Sequence, residues 1–139
     1  MKIAIINGPN LNLLGKRETD IYGNRSFDVV MKDLKQHFEH VEFHYFQSNV
    51  EGELINEIQR VGYEFDGIIF NPAGYSHTSV ALGDAIAAID APVIEVHISN
   101  IYAREEFRKI SHVSAKSKGV ITGLGEEGYR LAVQWFLMQ

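Results

Sequence analysis

The chain has 139 residues, 45% of them hydrophobic, which suits one domain built around one core. It has no cysteine, which excludes disulfides, thiolate catalysis and Cys-based zinc sites. A formal charge of -5 argues against a general nucleic-acid binder, and no apolar run approaches membrane-spanning length, so a soluble cytoplasmic protein is expected.

Lys2–Asn7 contains Ile3-Ala4-Ile5-Ile6 and reads as a central strand buried on both faces. The stretch that follows, from Asn7 to Gly23 (NGPNLNLLGKRETDIYG), is several times longer than the usual strand-to-helix connection of about 2–6 residues. Leu11, Leu13, Leu14 and Ile21 can dock it, while Gly8, Pro9, Gly15 and Gly23 can turn it. It also carries Asn10, Arg17 and Tyr22, so it reads as an active-site loop with a mobile half.

Ser26 is placed to cap a helix that has Phe27, Val30, Met31, Leu34 and Phe38 at helical spacing. Val41–Phe46 largely alternates, as an edge strand would. Ser48 and Glu51 match a capping box before a helix striped by Leu54, Ile55, Ile58 and Val61. Gly67–Phe70 is another central strand, ending in Asn71-Pro72-Ala73-Gly74. His77 to Ile89 predicts a helix with Asp84 as its only internal charge. Apolar nearly all round, that helix needs cover from the sheet on one side and a second subunit on the other. Pro92–His97 is the fourth strand, Tyr102–Lys109 a short charged helix, Val120–Thr122 the fifth strand, and Glu126–Met138 the last helix.

Alternating βα units imply a parallel sheet with helices on both faces, a three-layer α/β sandwich. With the second strand at an edge, the five strands fit the flavodoxin-like order 2-1-3-4-5, in which ligands bind beyond the carboxyl ends of strands 1 and 3. Asn10, Asn71 and His97 fall on that rim.

The string Gly123–Gly128 matches G-x-G-x-x-G, but the chain ends before the strand and acidic residue that a dinucleotide site needs. A tight turn and close helix packing are expected there. His37, His40, His44 and His112 sit on polar faces and read as solvated. Glu95 lies two residues before His97 on one strand face, where it can hold and charge the imidazole; an ordinary strand-end ion pair is the alternative. His77 could cap a helix or serve the site, and Asn71 could form a turn or bind a ligand. Arg104 and Arg108, four apart on one predicted helical face, suit surrounding acids or a functional role. Asp84 needs a partner, an interface arginine or a polar ligand, because a lone buried carboxylate is costly.

Tyr22 either packs the loop down or, beside one or two arginines, acts as a base. A guanidinium about 4 Å from a phenolate contributes roughly 4 kcal/mol of gross attraction at an effective dielectric of about 20, or about 3 pK units before desolvation. No pair of histidines has metal-ligand spacing on one element, so no metal site is expected.

In combination and in this order, GPNLNLLGKRE…YG, NPAGYSHTSVALGDAI and EVHISNIYAREEFR resemble the type II 3-dehydroquinate dehydratases across nearly the whole chain. The resemblance implies a flavodoxin-like catalytic domain over residues 1–139, assembled as a dodecamer of four trimers, that uses neither metal nor organic cofactor. The implied reaction converts 3-dehydroquinate to 3-dehydroshikimate in aromatic amino-acid biosynthesis (in some organisms, in quinate breakdown). At matching positions Tyr22 would remove a proton from C2, next to the C3 ketone, and Arg17 would favour the tyrosinate and the transition state. Asn10 would hold a water that stabilises the enolate, and His97, oriented by Glu95, would protonate the departing C1 hydroxyl. Asn71 and the backbone amides of Ile98 and Ser99 would bind the carboxylate, the amides lying just before a predicted helix whose N-terminus favours an anion. His77 and Arg108 would hold ring hydroxyls, Arg104 would help close the loop, and Asp84 would reach a neighbouring subunit's site.

Two positions depart from the family pattern: Thr19, where proline is common, and Tyr102, where histidine is common. A flavin-binding electron carrier would share the fold but would need a Ser/Thr/Gly-rich phosphate loop, which Pro9–Leu14 is not. A phospho-receiver module would need acidic residues where Asn7 and Asn71 stand.

Overall fold

The computed structural model describes residues 1–16 and 18–139, with Thr19 described by its backbone. Arg17, expected beside Tyr22, lies outside the described residues. Five parallel strands, β1 (Lys2–Asn7), β2 (Glu42–Gln47), β3 (Gly67–Asn71), β4 (Val93–His97) and β5 (Gly119–Thr122), form one sheet in the order β2-β1-β3-β4-β5. This is the predicted flavodoxin-like order. Helices α1 (Thr19–Tyr22), α2 (Phe27–His37), α3 (Glu51–Val61), α4 (Val80–Ala87) and α5 (Glu127–Leu137) complete the α/β arrangement.

Successive strand residues point to opposite faces, which makes two cores from one sheet. Ile3, Ile5, Ile69, Ile94 and Val96 pack with Phe27, Val30, Met31 and Leu34 of α2 and with Tyr129, Ala132, Val133 and Phe136 of α5. Ala4, Ile6, Ile68, Phe70 and Val93 pack with Leu54, Ile58 and Val61 of α3 and with Leu82, Ala85 and Ile86 of α4. The apolar stripes read at helical spacing are therefore the buried ones. The register aligns Asn7 with Asn71, so the exits of β1 and β3 are neighbours.

Several local expectations are corrected. The chain enters α3 through an extended Val50, so Ser48 stands two residues too early to cap it. Its hydroxyl instead accepts from Val50 N at 2.9 Å and donates to Glu53, and no Ser48–Glu51 capping box forms. Ser26 does occupy the N-cap of α2, without a side-chain cap bond. The helix expected from His77 is a 3-10 turn (Ala73–His77) followed by α4, whose start is set by Ser79 Oγ accepting from Leu82 N at 3.0 Å.

Tyr102–Lys109 is not a helix either. It is two 3-10 turns, Ile101–Ala103 and Glu106–Lys109, with Arg104 extended between them, so Arg104 and Arg108 do not share a helical face. Only Ile101 is buried in this segment, which leaves no apolar stripe to sustain an α-helix. The pairs Glu105–Arg108 and Glu106–Lys109, three apart, match the tighter repeat.

His44 is not simply solvated. It is half-buried, with Nε2 2.6 Å from Glu57 Oε1, and Arg60 donates to both oxygens of that carboxylate at 2.7 and 3.0 Å. The Arg60 bonds, outweighing burial and joined by His44, hold the Glu57 carboxyl below its ordinary range. Gly123 and Gly125 adopt positive φ (89° and 62°) in the turn from β5 to α5, and Gly128 packs on Val96 and Ile121, as expected for a structural turn.

Candidate active site

Beyond the carboxyl ends of β1, β3 and β4 lies a cavity of about 190 Å³. Pockets for drug-sized ligands run to about 300–1,000 Å³, so this one suits a small molecule. Gly8 makes the junction possible: Gly8 N donates to Asn71 O at 2.8 Å, and a Cβ there would lie 2.5 Å from Pro72 O. Only glycine lets the two strand exits run this close.

One wall is the end of β4. His97 is 5% exposed and Glu95 is wholly buried. His97 Nε2 donates to Glu95 Oε1 at 2.7 Å, which leaves Nδ1 as the ring nitrogen available to a ligand. Ser111 Oγ donates to the same carboxylate oxygen at 2.8 Å, and Ser114 Oγ donates to the other. Burial opposes ionisation of Glu95, but the bonds from His97, Ser114 and Ser111 together with the charge of His97 outweigh it. They hold the carboxyl below its ordinary range. The ring of His77 lies over that of His97, centroids 6.3 Å apart and planes within 21°. His77 Nδ1 donates to Ile110 O at 2.7 Å. Burial pushes its pKa down, aided by His97 and Arg108 and opposed by the Ile110 carbonyl and Glu95, so a neutral ring is favoured.

The opposite wall is the segment after β1. Its first half docks through Leu11 and Leu14, which are buried, whereas Leu13 and Ile21 are exposed. Tyr22 ends α1 half-buried, and its hydroxyl accepts from Arg104 Nη1 at 2.9 Å. The guanidinium carbon stands 5.7 Å from the Tyr22 ring centre, and Nη1 also donates to Ser99 Oγ at 3.2 Å. Arg104, expected only to close the loop, thus touches Tyr22 directly. Asn10 takes a left-handed backbone (φ 70°), and its N–H donates to Asn49 Oδ1 at 2.9 Å.

The floor is a polar chain inside the core. Asn71 Oδ1 accepts from Ala73 N at 3.1 Å, and Asn71 Nδ2 donates to Tyr129 Oη at 3.0 Å. Tyr129 Oη in turn donates to Asn7 Oδ1 at 2.8 Å. Burial drives the Tyr129 pKa far up, so it stays a neutral donor. The Asn71 amide is thereby fixed, with one N–H left for a ligand. At the end of β4, Gly125 N donates to Ile98 O and Thr122 Oγ1 to Ser99 O, both at 3.0 Å. The element that follows is a three-residue turn, so any anion at the Ile98 and Ser99 amides would be held by N–H groups and not by a helix dipole.

Asn10, Tyr22, Asn71, His77, His97, Ile98, Ser99, Arg104 and Arg108 all line this one cavity. Glu95 lies behind His97. Asp84 sits on the outer face of α4, exposed and away from the cavity of its own protomer, so the partner expected for a buried carboxylate is not required within one chain. Glu18 lines the cavity, while Ser111, Ser114, Asn7 and Tyr129 support it from behind, and sequence reasoning had singled out none of the five for the site. Polar character offered no cue for the serines, and Tyr129 reads only as core. Among the described residues, no group of three or more His, Asp or Glu is placed to hold a metal ion. No described helix is long and apolar enough to cross a membrane.

The family model for Dehydroquinase class II matches residues 1–137. A 3-dehydroquinate dehydratase from Fusobacterium nucleatum subsp. nucleatum is 54% identical over 142 residues, covering 99% of this chain and 97% of that protein. The protein of the same name from Helicobacter hepaticus is 52% identical, covering 99% of this chain and 89% of its own. Among solved structures, the type II dehydroquinase from Butyrivibrio crossotus superposes with a TM-score of 0.95 at 42% identity, covering 99% of this chain and 97% of that one.

Proposed function

The chain belongs to the class II dehydroquinase family, and on that premise we propose how its cavity dehydrates 3-dehydroquinate to 3-dehydroshikimate, a lyase step of the shikimate pathway. The observation that carries the reading is the placement of two unlike pairs around one cavity, Tyr22 with Arg104 and His97 with Glu95.

Tyr22, as tyrosinate, takes the proton from C2 next to the C3 ketone, and the electron pair of that bond passes into an enolate. A phenolate accepts the Arg104 hydrogen bond more strongly than a phenol does, because charge-assisted bonds are roughly twice as strong as neutral ones. Arg17 is assigned a second supporting charge, and Asn10 the water that binds the enolate oxygen. The imidazolium of His97, held by the ionised Glu95, gives its proton to the C1 hydroxyl. That group leaves as water while the enolate pair forms the new double bond. A base and an acid on opposite walls suit an anti elimination. Asn71 and the amides of Ile98 and Ser99 hold the carboxylate, and His77 and Arg108 hold ring hydroxyls.

The same reading covers residues 1–139 as one catalytic domain, working in the cytoplasm as a dodecamer of trimers with Asp84 serving a neighbour's site. It is supported by the outer face of α4, where Val80, Ala81, Ala87 and Ala88 surround Asp84 and are all exposed. Mixing the purified protein with 3-dehydroquinate should produce enone absorbance, and its absence would overturn the activity. Mixed oligomers of Asp84→Ala and Tyr22→Phe should regain activity if sites are shared. No recovery, despite subunit exchange seen by native mass spectrometry, would place Asp84 outside a shared site.

A further inference from the structure

We propose that Ser111 and Ser114 are positioning residues for the acid half of the reaction, holding the Glu95 carboxylate ionised and aimed at His97. The inference rests on the proposed role of His97. Glu95 is wholly buried, and a carboxylate taken out of water is tolerated only when its oxygens are hydrogen-bonded. Here both are: Oε1 accepts from His97 and Ser111, and Oε2 accepts from Ser114.

The serines are themselves held. Ser111 Oγ accepts from Val113 N at 3.2 Å and Ser114 N at 3.1 Å, so its own hydrogen is directed to Glu95. His112 N donates to Ser76 O at 2.7 Å, and Val113 is wholly buried. Gly83 of α4 lies directly on this segment, since a Cβ there would come within 2.3 Å of His112 O. The segment that carries the two hydroxyl donors is thus held from several sides, and among the described residues their only charged partner is Glu95.

The chemistry follows from the charge states. Hydroxyl donors favour the ionised carboxylate over the neutral acid. An ionised Glu95 accepts the His97 Nε2–H and fixes the ring, which sets how His97 meets the leaving hydroxyl. Loss of the Ser114 hydroxyl leaves Oε2 buried and unpaired, and loss of the Ser111 hydroxyl leaves Oε1 to His97 alone, so Glu95 then serves His97 less well. C2 proton removal, on the opposite wall, is untouched.

Ser114→Ala is the cleanest variant, because the Ser114 hydroxyl donates only to Glu95. It should fold, keep KM within about twofold and lose roughly tenfold in kcat, the scale of one hydrogen bond to a charged group. With hydroxyl departure slowed, the kinetic isotope effect of substrate deuterated at C2 should fall toward one. Ser114→Thr should recover activity, and Ser114→Cys, a weaker donor, should lie between. In a Glu95→Gln background, Ser114→Ala should add less than about a twofold loss.

A folded Ser114→Ala with wild-type kcat would overturn the proposal. So would an undiminished isotope effect, or an equal loss in the Glu95→Gln background. If Ser114→Ala does not fold, the isotope effect of Ser114→Cys decides, with the same two outcomes. Absence of turnover by the wild-type protein would instead strike the activity itself.

Discussion

His97 and Tyr22 face the same cavity from unlike supports. His97 ends a central strand, is 5% exposed, and is bonded to a buried glutamate that two serines hold in turn. Tyr22 ends a four-residue helix whose Ile21 is exposed, and its hydroxyl is fixed by a hydrogen bond from Arg104, 82 residues away. The proposed acid wall is built into the core, whereas the proposed base wall is laid against the cavity by a segment anchored in its first half. Variants on the acid wall should therefore change stability as well as rate, and variants on the base wall should change rate alone.

The largest effect is expected from Tyr22→Phe. General-base catalysis contributes about 10²–10⁴-fold, so kcat should fall by that much while KM and the urea midpoint hold. More than about a tenth of wild-type kcat remaining would reject Tyr22 as the base. Arg104→Lys should come next. It keeps the charge but loses the rigid guanidinium whose Nη1 reaches both Tyr22 and Ser99, so kcat should fall roughly tenfold at unchanged stability. Wild-type kcat in that variant would show that charge alone suffices.

Smaller is a pH effect on stability, to which the proposed acid wall contributes through Glu95 and His77. Folding holds the Glu95 and Glu57 carboxyls below the ordinary 4.5 and the His77 imidazole below 6.5. In each case the unfolded chain takes up the proton first as pH falls, so stability is full above the unfolded value and declines below it. Tm should hold near neutrality, ease down below about pH 6.5 as unfolded His77 protonates, and drop faster below about pH 4.5. Glu95→Gln should lower Tm at pH 7 and flatten the steeper part, while Tyr22→Phe should leave the curve's shape alone. Parallel curves for Glu95→Gln and wild type would remove the distinction between the two walls.

Sequence alone determined the sheet order and the rim. Strands apolar on both faces must be central, βα alternation makes them parallel, and the ends of β1, β3 and β4 then bring Asn10, Asn71 and His97 together whatever the loops do. Glu95 and His97 were paired by the two-residue period of a strand, a rule of local geometry. The motif resemblance supplied roles for residues such as Tyr22, His77 and Arg108, whose local patterns were ambiguous.

Tertiary structure decided the rest. The Ser48–Glu51 box and the 102–109 helix satisfied local patterns, yet the entry angle at Val50 and the lack of a buried stripe beyond Ile101 overruled them. Arg104 on Tyr22, Ser111 and Ser114 on Glu95, and Tyr129 between Asn7 and Asn71 join residues far apart in the chain. Periodicity reports which face of an element is buried. It carries no information on which polar group will meet another across the fold, because that depends on how the loops after β1 and β4 and the helix α5 settle on the finished sheet.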